Sequence, residues 1–152
     1  MKLVFRFISI FLLFSCLGFA ENRVQITSNE LTYDVNKRIS IFKGDVDAIY
    51  DNSTIKSDLM YVYLDDLNKP SKIVCKGNVK IIKDNMTALA DNAVFDIKED
   101  ILVLEGDVKI WQNKNYLEGD KVTYYNKEKR VEVKNNDKGK VKIIFIPENN
   151  QN

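Results

Sequence analysis

The chain offers few side chains that could carry out chemistry. It contains no histidine, which removes the usual general base and the commonest zinc ligand. The adjacent acids Asp65-Asp66 and Glu99-Asp100 could suggest acid–base catalysis or calcium binding, but both pairs sit between apolar runs. We interpret them as solvated turn residues. Since a glycine-rich phosphate loop is also missing, we expect neither an enzyme nor a bound metal or cofactor.

The chain contains only two cysteines. Cys16 lies in the apolar N-terminal segment, and Cys75 ends the run Ile73-Val74-Cys75. If Cys16 is removed with that segment, Cys75 has no partner for an internal disulfide. We therefore predict that Cys75 is a small buried hydrophobe in a strand rather than a reactive thiol.

The most regular feature of the sequence is an internal repeat of 62 residues. The landmarks that keep this step are the pairs Gly44/Gly106, Gly77/Gly139, Asn29/Asp91 and Asp58/Asp120, with the copy around Gly139 the weakest. Half-units of alternating 29 and 33 residues lie inside the repeat. Self-similarity at a fixed period is typical of stacked supersecondary units.

Each repeat consists of alternating apolar and polar runs separated by Asn- and Asp-rich connections. In one such run, Met60, Val62 and Leu64 alternate with Tyr61 and Tyr63. This period of two predicts strands with one buried face, joined by turns. The repeated glycines fall inside the strand pattern, so they predict bulges or sharp bends, and the neighbouring acids predict partners for the backbone at those corners. No helical period follows residue 20, and we predict an all-β domain.

Stacking the repeats brings one phase of every run to a common face. We predict that this inward phase includes Leu31, Tyr33, Ile39, Ile41, Val46, Met60, Val62, Val79, Ile81, Phe95, Val103, Val108, Ile110, Val122 and Tyr124. The face could form a closed core, or it could line a slot for an apolar ligand. Each buried methylene contributes about 0.8 kcal/mol, so acyl chains held partway would bind usefully yet reversibly. Periodicity does not separate these two interpretations.

The first 20 residues differ from the rest. Lys2 and Arg6 precede an apolar run from Phe7 to Ala20, which is short for a membrane span of about 20 residues. We interpret residues 1–20 as a cleavable signal peptide, residues 21–146 as one β-domain and residues 147–152 as a flexible tail. A lipoprotein box ending at Cys16 and an uncleaved membrane anchor are the alternatives.

Charge excludes one class of partner. Loss of residues 1–20 leaves 21 basic residues, because Lys2 and Arg6 go, against 22 acidic ones, a net charge of −1. Both signs are spread along the chain, so we expect no nucleic acid as a partner.

Several stretches resemble a known family. Residues 26–34 (ITSNELTYD) and 41–46 (IFKGDV) resemble the OstA-like domain of LptA-family lipopolysaccharide-transport proteins. Residues 87–96 (TALADNAVFD) and 104–112 (LEGDVKIWQ) are similar to the second repeat of that domain, and residues 119–125 (GDKVTYY) to its third. The resemblance covers nearly all of residues 24–146.

The resemblance implies a fold, a ligand and partners. The fold would be an antiparallel twisted β-jelly roll, open along one side, with an apolar interior that holds the lipid A part of lipopolysaccharide. The protein would join head to tail into a periplasmic bridge between an inner-membrane-anchored OstA-like subunit and the outer-membrane lipopolysaccharide translocon. Two alternatives remain: the chain could be the anchored subunit itself, or a structural β-filament without ligand.

Two terminal runs predict how such copies would join. The first contains Val24 and Ile26, and the second contains Val141, Ile143, Ile144 and Phe145 with only Lys142 as a charge. Exposed sheet edges with high β propensity and few charges suggest that each pairs with a strand of another molecule. Because the two ends are different surfaces, we predict head-to-tail contacts that build open chains.

Overall fold

The computed structural model describes residues 24–50, 52–136 and 139–147. These residues form ten strands: β1 (Val24–Thr27), β2 (Glu30–Asp34), β3 (Ile39–Tyr50), β4 (Ser53–Leu64), β5 (Pro70–Lys83), β6 (Met86–Asp96), β7 (Ile101–Gln112), β8 (Asn115–Tyr125), β9 (Arg130–Lys134) and β10 (Lys142–Ile144). The described residues contain no helix, and hence no helix that could span a membrane. The predicted signal peptide and residues 148–152 of the predicted tail lie outside the described residues.

All ten strands belong to one antiparallel sheet. Strands β3 to β8 pair in sequence order, each with its neighbour along the chain. At one edge β1 and β2 both pair with β3, and at the other edge β9 and β10 both pair with β8. Each edge is therefore one long strand position divided into two short strands. The all-β, antiparallel prediction is confirmed.

The repeated glycines mark a bend in every second long strand. Gly44, Gly77 and Gly106 have φ values of +84°, +82° and +84°, which L side chains rarely adopt. The pairing register shifts at each of them, so that two residues oppose one on the neighbouring strand. The following residues, Asp45, Asn78 and Asp107, are left-handed as well. Asp and Asn tolerate this conformation better than most residues, which explains why they recur there.

A side chain from the neighbouring part of the sheet occupies the space beside each bend. Asn29 lies against Gly44, Asp58 against Gly77, and Asp91 against Gly106. The Asn29 backbone N–H also donates to the Gly44 carbonyl at 2.9 Å. The bends predicted from the glycine spacing are confirmed, and Asp58 and Asp91 lie at the corners where the repeat predicts them.

The fourth bend differs from the other three, because its acidic residue does not lie against a glycine. Asp120 does not face Gly139, the expected fourth copy. Its Oδ2 accepts a hydrogen bond from the Asn136 N–H at 2.6 Å, and its own N–H donates to Asn135 Oδ1 at 2.8 Å. Asn135 follows Asp120 by 15 residues, the same separation as between Asn29 and Gly44 and between Asp91 and Gly106. Gly139 therefore does not occupy the position beside Asp120 that the repeat predicts.

The bends divide the sheet into two halves, which we call half A and half B. Half A contains β2, β9 and residues 39–43, 59–64, 70–76, 92–96, 101–105 and 121–125. Half B contains β1, β10 and residues 46–50, 53–57, 79–83, 86–90, 108–112 and 115–119. One hydrophobic cluster joins Met60 and Leu104 of half A to Val46 and Val108 of half B. The two halves thus fold over a common inner face.

The turns use the acidic residues that might have suggested catalysis. Asp65 Oδ1 accepts hydrogen bonds from the Leu67 and Lys69 backbone N–H groups at 2.8 and 2.9 Å, and Asp66 forms an ion pair with Arg38. Asp100 Oδ2 accepts from Asn126 Nδ2 at 2.6 Å in the neighbouring turn. These contacts confirm that the acid pairs are turn residues.

Candidate functional site

The inner face is closed along the bends and opens away from them. On β3, exposure rises from 1% at Val46 to 7% at Ala48 and 46% at Tyr50. On β4 it rises in the other direction, from 1% at Met60 to 8% at Val62, and Leu64 is only partly buried. A single sheet would leave both faces in water, so the buried end of this gradient requires the opposite half as its cover. We use the name slot for this apolar inner face between the halves, with the line of bends as its apex and the turns as its two rims.

Twelve of the fifteen residues predicted for the inward phase lie on this inner face. They are Leu31, Tyr33, Val46, Met60, Val62, Val79, Ile81, Phe95, Val108, Ile110, Val122 and Tyr124, as the cross-strand partners establish. Val46, Met60, Val79 and Val108 are at the apex, with 2% exposure or less. Leu31 is on the same face but half exposed, since it lies on the edge strand β2.

Ile39, Ile41 and Val103 face outward, so their predicted orientation was wrong. Ile39 pairs with Tyr63 and Ile41 with Tyr61, whereas the inward residues Val62 and Met60 pair with Ser40 and Phe42. Val103 pairs with Val94 and Thr123, one residue out of phase with the inward Leu104. The left-handed pair at each bend adds two residues. Because two residues are one full period of a strand, the inward phase of β3 and β7 is the same on both sides of the bend. A shift of one residue would instead turn every side chain to the opposite face.

The outward residues explain why alternation was misleading. Across half A, Ile41, Tyr61, Val74, Val94 and Val103 are successive cross-strand neighbours on the outer face. All five are partly buried. Both faces of half A therefore carry an apolar row, and the sequence pattern alone favours the wrong one on β3 and β7.

The sequence prediction also missed inner-face residues. The residues omitted include Ile26, Phe42, Ile55, Leu64, Ile73, Ala88, Ala90, Ala93, Leu102, Leu104, Leu117 and Val133. Three alanines are among them, and Ala88 and Ala93 are only 2% and 4% exposed. Small side chains on β6 leave room between the halves for larger side chains from the other strands. Counting residues across each glycine would have identified Phe42, Leu102 and Leu104.

Cys75 lies on the inner face near the apex, between Met60 of β4 and Ala93 of β6. It is 3% exposed, which confirms the prediction of a buried small hydrophobe. Desolvation raises the pKa of its thiol to about 11, while a hydrogen bond with Ser57 acts in the opposite direction. At neutral pH the thiol is protonated and therefore a poor nucleophile.

Polar clusters among the described residues do not suggest another chemical site. No group of three possible metal-ligating side chains comes together in that part of the chain. A surface depression of about 390 Å³ at the bend of β7 and β8 is lined by Glu105, Gly106, Asp120, Lys121 and Asn136. Its lining is polar, so it is distinct from the slot.

The two sheet edges differ from the predicted ones in extent. Val24 and Ile26 lie in β1 as expected, but the terminal strand is only Lys142–Ile144, so Val141 and Phe145 are outside it. Phe145 is excluded because β8 begins at Asn115, and Ile144 already pairs with Tyr116. Beyond it the Ile146 N–H donates instead to Asn115 Oδ1 at 3.1 Å. The edge is still apolar, since Ile143 and Phe145 are 66% and 68% exposed.

Three of the likenesses to known proteins are informative about this chain. A family model described as LptA/(LptD N-terminal domain) LPS transport protein matches residues 25–130. An uncharacterized protein of Rickettsia prowazekii (strain Madrid E) is 28% identical over 111 residues, which are 67% of this chain and 74% of that protein.

The third likeness is to a solved structure. It is LptH, the LptA homologous periplasmic component of the lipopolysaccharide transport device of Pseudomonas aeruginosa. The TM-score is 0.74 at 13% identity, and the match covers 84% of this chain and 97% of that one. At this identity the likeness is one of fold.

Proposed function

This chain belongs to the family of LptA and the N-terminal domain of LptD, lipopolysaccharide-transport proteins, and we propose that it carries lipopolysaccharide through the periplasm. In this proposal the acyl chains of lipid A enter the slot between half A and half B, and the sugar part stays at the open rims. Residues 1–20 would direct export and be removed after Ala20. The function is binding and carrying, and no reaction is assigned to it.

The observation that carries the proposal is the burial gradient on the inner face. Val108 is 1% exposed at the apex, whereas Ile110, two residues further along the same face, is partly exposed. A completely closed core would bury both. A slot with an apolar floor and accessible apolar walls lets acyl chains displace water without unfolding the domain, at about 0.8 kcal/mol per buried methylene.

The edges of the sheet support transfer between copies. In the described residues, β1 and β2 at one end and β9 and β10 at the other each pair with a strand on one side only. Pairing of one end with the opposite end of the next copy would align successive slots into one apolar track. We propose that the end copies join the inner-membrane-anchored OstA-like subunit and the outer-membrane translocon by the same strand pairing.

Photo-crosslinking in intact cells tests the proposal with matched neighbours. A photoreactive residue at Phe95 or Ile110, both on the inner face, should capture lipopolysaccharide. The same residue at Val94 or Lys109, their outward neighbours, should not. Equal capture from both faces would show that the slot is not the binding site. Assembly into chains without capture from either face would favour the ligand-free filament, and recovery of the intact N-terminus in membranes would favour the anchored subunit.

A further inference from the structure

The inner face of half B becomes polar at its rim. Its second row from the bends is apolar and includes Ala48, Ile55, Ile81 and Ile110, like the second row of half A with Val62, Ile73, Phe95 and Leu102. The third row of half B, next to the turns, runs through Tyr50, Ser53, Lys83, Met86, Gln112 and Asn115. The rim of half B therefore places polar groups directly beside an apolar wall.

Lys83 is the one charged side chain on the inner face of the described strands. It follows Ile81 by two residues on β5, so both side chains lie on the same face. Ile81 is 8% exposed and belongs to the hydrophobic cluster, whereas Lys83 is exposed. Within the described part of the chain, its ammonium group makes no ion pair, although the outward Lys56 and Lys109 pair with Asp47 and Asp107.

The change from apolar to polar recurs at the same place in successive repeats. Steps of 33 and 29 residues relate Lys83 to Tyr50 on β3 and to Gln112 on β7. Two residues nearer the bend, the same steps relate Ile81 to Ala48 and Ile110. Hydrogen-bond donors thus stand on alternate strands about 10 Å apart, directly above apolar residues.

We infer that the rim of half B binds the phosphate group of an amphiphile whose acyl chains occupy the slot, with Lys83 as the cationic contact. An ammonium group at the boundary between apolar wall and water offers three donors and a full charge to a phosphate monoester. The phosphate would fix which way the amphiphile sits across the opening, with its head towards half B. This inference rests on the proposed function, since it assigns a specificity-determining residue to the same slot.

The test compares two ligands with identical acyl chains, bisphosphorylated lipid A and dephosphorylated lipid A, on the mature full-length protein. Lys83→Glu should weaken binding of the bisphosphorylated lipid by about fivefold or more, since an exposed charge pair contributes up to about 1 kcal/mol and reversal adds repulsion. Binding of the dephosphorylated lipid should change by less than about twofold. Lys83→Arg should retain the wild-type preference, and added salt should reduce that preference.

Lys80→Glu is the matched control, because Lys80 is on the outer face of the same strand, paired with Lys56 and Leu89. It should alter neither affinity appreciably. Equal effects of Lys83→Glu on both lipids, or no effect on either, would overturn the inference while leaving the slot in place. If the wild-type protein binds neither lipid, the proposed function fails as well, and the two failures are thereby distinguished.

Discussion

Asp58 faces Gly77 across the bend of β4 and β5, and its Oδ2 lies only 2.5 Å from where a Cβ on Gly77 would be. The same oxygen accepts a hydrogen bond from Asn78 Nδ2 at 2.8 Å. The carboxylate therefore occupies the space that the missing side chain leaves, and it holds the next residue of the bend. Because the two left-handed residues Gly77 and Asn78 are accommodated here, the inward residues of β5 keep the same phase on both sides of the bend.

Replacement of Gly77 by alanine should destabilise the protein. Its φ of +82° is costly for an L residue, and the added methyl group would collide with Asp58. We expect a loss of about 1–3 kcal/mol in the free energy of unfolding, measured with urea. Gly139→Ala is the control, since the atom nearest to its added methyl group would be Asn135 Nδ2, the end of a side chain; its effect should stay below about 0.5 kcal/mol. Equal effects would mean that the bend does not require glycine.

The buried thiol makes stability depend on pH in the alkaline range. The pKa of Cys75 is raised from 9.0 to about 11 in the folded state, so the folded protein binds this proton more tightly than the unfolded chain. Its contribution is complete below pH 9 and is lost as the pH rises to about 11, by about 2–3 kcal/mol. Urea unfolding at pH 8 and pH 10.5 should show this loss. Cys75→Ala should show a smaller loss, because the buried thiol is then absent.

Adjacent residues on β7 should differ in their effect on lipid binding. Leu102 lies on the inner face of half A and Val103 on the outer face. Leu102→Asp should reduce affinity for lipopolysaccharide at least about tenfold, since a carboxylate in the slot must be desolvated when acyl chains enter. Val103→Asp should reduce it less than about twofold. Circular dichroism establishes that both variants are folded, and a stronger effect of Val103→Asp would place the ligand on the outer apolar row instead.

Charge at the β10 edge should prevent chain growth. Ile143 and Ile144 are exposed on an edge strand of the described sheet, and lysine there disfavours pairing with another strand. In light scattering over a concentration series, the mean mass of the wild type should rise with protein concentration. The mean mass of the double variant Ile143→Lys, Ile144→Lys should stay at that of a monomer. Leu67→Lys, at a residue 75% exposed in a turn, controls for lost surface hydrophobicity. Growth of the double variant would exclude β10 as the joint.

The sequence predicted the strands and bends well because their signals are local. Glycine at a left-handed position, Asn and Asp in turns and alternation within a run each report on a few neighbouring residues. The face of a strand is a different kind of property. On β3 the apolar residues Ile39 and Ile41 alternate correctly, yet the inward residues are Ser40 and Phe42, because the outer face has its own apolar row.

The polar rim was not predicted for a related reason. Lys83 looks like any lysine next to a turn until Ile81 is placed in the core and the phase is carried two residues further. Likewise, the last bend uses Asn135 rather than Gly139, which is revealed by the hydrogen bond that the Asp120 N–H donates to Asn135 Oδ1. Both properties depend on pairing between strands, which a single sequence does not contain.

The self-contained bends make the length of the protein adjustable independently of its cross-section. Asp58 and Gly77 complete one bend without help from the next, so another hairpin can be added beside them with its own acid and glycine. Four strands, the content of one 62-residue repeat, would extend the slot by about 19 Å along its axis. In the proposed bridge, gene duplication or loss of whole repeats would thus set how many copies span a given gap, with the cross-section of the slot unchanged.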